Sequence, residues 1–303
     1  MRRALLLTFL LAAGCAARLD AQSLHERCMP AGGDYCLMLA DAALTIQPRL
    51  AIVAAGGNPV PGTASTLGMR LPAAPRWSLA VRATATRVTI PPYPPLSDRE
   101  GILTPWNVSA DASAGVFNGF HLLPTIGGFA SLDVLGSIGL LTAGGDVFEQ
   151  DSRVTWALGG RVGILRESFT APGVSLSAMY RSVPGTAHGN AIEVDRQQLL
   201  SLRGTVGKRI LGFGLTGGVA WDRGSGDVRV SYLTGVPPSV AVTAEDDVTW
   251  DRTALFGNLS WTWLVLNASA ELGWQSNDDV RAGAHEAAGN GGLFGGLAVR
   301  LAL

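Results

Sequence analysis

From residue 77 onward the chain alternates apolar and polar side chains at every second position. In 77–86, Trp77, Leu79, Val81, Ala83 and Ala85 share one face, while Ser78, Arg82, Thr84 and Thr86 share the other. In 106–116, Trp106, Val108, Ala110, Ala112, Ala114 and Val116 oppose Asn107, Ser109, Asp111 and Ser113. The same grammar recurs at 130–140, 154–166, 173–182, 198–209, 211–222, 250–261, 264–274 and 292–303, and at 44–54, where Ile46, Leu50 and Ile52 oppose Thr45, Gln47 and Arg49. Period two predicts β-strands. Ten to twelve residues is about what a tilted strand needs to cross a bilayer, and about twice the usual length in soluble sheets. Before them, Tyr35 to Ala43 reads as one short helix bracing the end of the sheet.

The composition decides which face meets which solvent. Only 16% of residues are charged and Lys208 is the single lysine, so the polar faces carry Thr, Ser, Gly and scattered Arg instead of the Lys and Glu of a water-facing sheet. The Leu, Val, Ile and Trp faces therefore point to lipid, and the sheet must close, because an open edge in hydrocarbon leaves backbone groups unpaired. Trp77, Trp106, Phe129, Trp156 and Trp250 near strand beginnings, and Phe117, Phe169, Trp221, Trp261, Trp263 and Trp274 near strand ends, suit two interfacial girdles. Tight connections at 208–210 and 260–263 alternate with long polar ones at 142–153, 183–196, 223–249 and 275–291. Pairing the strands in this order requires one more, placed at Thr66 to Leu71. The expected fold is all-β, a transmembrane antiparallel barrel of about 12 strands within a range of 10 to 14, occupying 44–303.

The N-terminus carries an address. Arg2 and Arg3 precede the apolar run Ala4 to Gly14, and a cut near Ala21/Gln22 makes 1–21 a signal peptide and 22–43 a periplasmic segment. Ala12-Ala13-Gly14-Cys15 offers a competing lipoprotein cut. Cys28 and Cys36 then remain, either as a disulfide or as two thiols, with a metal site disfavoured because only His25 lies nearby.

These features together resemble bacterial outer-membrane β-barrel proteins, in particular an uncharacterised porin-like family. The family commonly ends in an aromatic residue, where this chain has Leu303. The resemblance implies residence in the outer membrane, contact with its lipids and lipopolysaccharide, and insertion by the barrel-assembly machinery.

By parity, Arg49, Arg82, Asp111, Asp133, Arg161, Arg181, Arg203, Glu271 and Arg300 point into the lumen. Six cations against three anions would bias a narrow pore toward small anionic or polar solutes. A closed barrel filled by Arg-carboxylate pairs is the alternative. Gly56 to Ser65, with Asn58-Pro59, serves either as turn chemistry or as the lining of a lateral opening for hydrophobic solutes. Catalysis is not expected, since His25, His121, His188 and His285 fall in unrelated connections with no triad spacing. Acids at 245–247 and 278–279 suit hydrated loops better than Ca²⁺ sites. No cofactor motif appears, and 23 Lys+Arg against 24 Asp+Glu leave no basic excess for nucleic acid.

Overall fold

A computed structural model describes residues 28, 34–70, 74–92, 100–121, 127–144, 151–188, 192–195, 197–233, 241–276, 279–282, 285–288 and 291–302. The signal sequence expected at 1–21 and most of 22–33 lie outside them. One long helix, α1 (Asp34–Ala55), precedes ten long strands: β1 (Trp77–Thr86), β2 (Trp106–Phe117), β3 (Ser131–Ala143), β4 (Asp151–Leu165), β5 (Gly173–Val183), β6 (Gln197–Ile210), β7 (Phe213–Leu233), β8 (Ala241–Trp263), β9 (Leu266–Gln275) and β10 (Gly292–Ala302). Each pairs antiparallel with its sequence neighbour, and Phe294–Ala302 of β10 pairs with Ser78–Thr86 of β1. The sheet thus closes into a ten-stranded barrel, within the range the sequence allows, and no spanning strand is left with an open edge.

The strands are inside out relative to a soluble sheet. Along β1 the apolar residues are exposed and Ser78, Arg82, Thr84 and Thr86 are buried. Leu79, Val81, Ile138, Leu158, Leu176, Leu215, Leu259 and Leu297 all stand on the outer surface. A closed barrel with such a belt is a membrane-embedded one. At the end where the connections are short, Trp77, Phe117, Phe169, Trp261 and Trp263 are exposed; at the other, Trp106, Trp156 and Trp274 are. Trp250 is not part of a girdle. It lies inside, 1% exposed, with the Arg252 guanidinium 5.0 Å from its ring centroid.

Two of the expected strands have other roles. Residues 44–54 belong to α1, which runs inside the barrel. Period two misleads here because the helix is enclosed on all sides: Ala42, Ala43, Leu44, Ile46, Gln47, Leu50, Ile52 and Val53 are all buried, so no amphipathic stripe marks it. Its Ala- and Leu-rich composition favours a helix, Pro48 notwithstanding. Thr66 to Leu71 does not cross either. Residues 56–68 form a strap that continues from α1 through the lumen, and Met69–Arg70 pairs briefly with Ala74–Pro75 at the short-turn end.

Residues 223–233 and 241–249 are likewise strand where a loop is expected. β7 and β8 are 21 and 23 residues long and stay paired up to Leu233↔Ala241, roughly 70 Å at about 3.3 Å per residue. Their outward residues change character along the way, from Phe213, Leu215 and Val219 to Arg223, Ser225, Asp227 and Arg229. The change marks where lipid ends and water begins. Beyond it, the inward Val228, Val230, Ala244 and Val248 join Val88, Ile90, Leu103, Ile192 and Val194 in one apolar collar around the first half of α1.

Candidate functional site

The lumen is the only enclosed polar environment among the described residues, and its occupant is the chain itself. α1 enters at the long-loop end and stops near mid-barrel, where Gly56 (φ +62°) supplies the left-handed residue that ends the helix and its N–H bonds the Ile52 carbonyl at 2.8 Å. A helix C-terminus leaves its last carbonyls without partners and carries partial negative charge. Wall residues satisfy both needs. Thr84 Oγ1 donates to the Val53 carbonyl, Arg181 Nη1 to Ala54 O at 3.1 Å, and Arg203 to Gly56 O at 3.2 Å and Gly57 O at 3.1 Å. Arg82 Nη1 continues the series on Asn58 O at 2.9 Å.

Carboxylates hold the strap from the donor side. Glu271 accepts from Gly57 N at 2.7 Å and Asn58 N at 2.8 Å, and Asp133 accepts from Leu67 N at 3.0 Å while pairing with Arg161 at 2.7 Å. Asp111 pairs with Arg82 at 3.0 Å and accepts from Ser137 at 2.6 Å. Glycines let the strap lie against the wall: a Cβ on Gly62 (φ +72°) would stand 2.0 Å from Asn267 Oδ1. Asn58 turns the chain locally, its Oδ1 accepting from Val60 N at 3.2 Å and its Nδ2 donating to Thr63 O at 3.1 Å. Gly56 to Ser65 therefore folds into the lumen and lines no lateral opening.

Of the nine charged residues that parity points inward, seven thus act together on α1 and the strap. Arg49 is placed differently from the expectation, on the helix instead of the wall, where its guanidinium meets the Gln275 amide. Arg300 faces inward from β10, 4% exposed, away from the helix end. Sequence reading missed the pair at the centre. Asp222 accepts from Arg203 at 2.5 Å and from Arg252 at 2.5 Å, all three buried, and Arg252 Nη1 donates to the Pro48 carbonyl. Their signal was present: Asp222 continues the inward parity of Gly214, Thr216 and Ala220, and Arg252 that of Asn258 and Ser260.

Comparison with known proteins assigns no family. No family profile matches the chain, and no curated protein matches it. Solved structures similar in fold include the outer membrane protease OmpT from Escherichia coli, at 11% identity over 80% of this chain and 100% of that one, with a TM-score of 0.36. The transport unit of the autotransporter AIDA-I from Escherichia coli matches at 9% identity over 87% and 99% of the two chains, with a TM-score of 0.37. An outer membrane channel from Pseudomonas putida F1 matches at 11% identity over 78% and 97%, with a TM-score of 0.40. At these TM-scores the likeness carries no argument.

Outside the lumen, Cys28 and Cys36 are joined in a disulfide at the long-loop end of α1, with Cα atoms 5.3 Å apart. Both sulfurs are buried. The acids at 245–247 lie on β8 and not in a loop. Glu245 shares Arg229 with Glu193, each at 3.1 Å. Among the described residues no group of three or more His, Cys, Asp or Glu is placed to hold a metal ion.

Proposed function

We propose that the protein is an outer-membrane barrel kept closed by its own N-terminal helix, so that its working surface is its two ends and not a pore. The observation that carries this reading is the use of the lumen charges. The arginines expected to face water and select ions instead cap the carbonyls of α1 and the strap, and buried guanidinium groups in such a network are costly to free. Short turns belong on the periplasmic side of such barrels and long loops outside. On that assignment α1 descends from the cell surface, so its first residues 34–43, expected in the periplasm, lie at the outer end instead, and the extended β7–β8 hairpin stands above the membrane among lipopolysaccharide. Insertion by the barrel-assembly machinery belongs to the same reading. Transport of a solute and catalysis do not.

Planar-bilayer recording tests it. The full chain, folded and inserted, gives no steady current, whereas a variant lacking 34–55 gives one. A full-length protein that conducts as the deletion does returns the account to a passive pore.

A further inference from the structure

The strap ends in a cavity of about 780 Å³ at the short-turn end, and its walls are unbalanced in charge. Arg76, Arg166, Arg209 and Arg300 line it, with Glu167 as the one carboxylate among its described lining residues. Glu167 is already engaged: Arg209 Nη2 lies 3.7 Å from it, and the Arg209 backbone N–H also donates to it. Among the described residues Arg76 and Arg166 donate to carbonyls, Leu67 O at 3.4 Å and Asn118 O at 3.3 Å. The Nε of Arg166 and the Nε of Arg300 are buried without a hydrogen-bond partner among the described residues.

Arg300 makes the point most sharply. It is 4% exposed, and no carboxylate pairs with it among the described residues. A guanidinium in that position calls for a counter-ion, because a buried charge without one is unfavourable. Burial, and then the Arg76 charge, also hold the Arg166 pKa below its ordinary value against the opposing pull of Asp133. Nothing in the lumen network uses Arg300; the helix end lies at mid-barrel, and this cavity is bounded by strap residues Thr63 to Leu67.

We propose that this cavity binds a phosphate-type oxyanion. The planar donor fork of arginine matches phosphate oxygens two at a time, and a cavity of this volume takes a small phosphorylated solute or one lipid headgroup. The cavity opens where both are within reach, at the membrane surface on the short-turn side. The proposal stands whether or not the lumen conducts.

The probe is inorganic phosphate added to the folded full chain in detergent. Phosphate raises the unfolding temperature with its concentration, chloride at equal ionic strength does not, and ³¹P resonance broadening reports the same site. Arg300→Gln and Arg166→Gln each weaken phosphate binding about tenfold, the size of one charge-assisted hydrogen bond. Arg229→Gln, at the far end of β7, leaves it unchanged. If Arg300→Gln fails to fold, Arg166→Gln on its solvent-side turn decides. In nanodiscs, competition between phosphate and added phosphatidylglycerol assigns the site to a lipid headgroup, and undiminished phosphate binding assigns it to a soluble ligand. Absence of any phosphate-specific stabilisation, or equal stabilisation of wild type and both glutamine variants, overturns the proposal.

Discussion

Asp222 Oδ2 accepts a hydrogen bond from Arg252 Nη2 at 2.5 Å, and the same guanidinium donates through Nη1 to the carbonyl of Pro48. One carboxylate therefore aims two arginines, since Arg203 on its other oxygen reaches the carbonyls of Gly56 and Gly57. Without Asp222 both cations would be buried together and unpaired. Asp222→Asn is expected to destabilise the folded barrel by about 3–5 kcal/mol, the usual cost of removing one member of a buried ion network. Denaturant unfolding in detergent measures it. Replacing Arg203 and Arg252 by Met in the Asp222→Asn background should recover much of the loss; no recovery would mean that Asp222 does not act through them.

The exposed hairpin has a separate pH response. Asp227 stands opposite Asp247 in the β7–β8 register, and a hydrogen bond from one carboxyl to the other, then burial, then the charges of Asp247, Asp195 and Glu245 raise the Asp227 pKa from 3.8 to about 6. The folded hairpin holds this proton more tightly than the unfolded chain does. Its contribution is therefore complete below about pH 4 and is lost as the pH rises through about 6. Protection of 223–233, normalised to the intrinsic exchange rate at each pH, should fall across that window while that of β2 and β3 stays constant, and Asp227→Asn should remove the dependence. A pH-independent wild-type hairpin would contradict it.

The direction of α1 gives a topological expectation. Met38 lies near the helix start at the long-loop end and is 40% exposed, whereas Val60 on the strap is 3% exposed. In intact cells Met38→Cys should react with a membrane-impermeant maleimide and Val60→Cys should react only after unfolding. A Met38→Cys that stays unreactive in intact cells and reacts once the outer membrane is opened would reverse the sidedness.

Much of this architecture was legible in the sequence, and the part that was not has a physical cause. Barrel strands such as 77–86 and 106–117 announce themselves because lipid outside and polar groups inside enforce strict alternation. Arg82, Asp133 and Arg203 could be assigned to the interior for the same reason. Their further partners could not be read, because the backbone carbonyls and N–H groups of 53–68 carry no side-chain signal. α1 escaped detection in its second half because a helix buried all round has no polar face to give its period away. The turn itself falls at Leu211-Gly212, both with positive φ, and not at the expected 208–210, because the strand before it keeps its pairing up to Ile210. The hairpin beyond Trp221 was taken for loop because its outer face turns polar, although Val228 and Val230 kept the inner parity.

The most direct test of the central claim, that the helix fills the lumen, is amide hydrogen exchange of 34–55 in the full-length protein folded in a bilayer. The account predicts protection in 44–55 comparable to that of β2 and β3, with Asp222→Asn lowering it selectively. Exchange of 44–55 at the rate of a solvent-exposed helix, while the barrel strands stay protected, would contradict it.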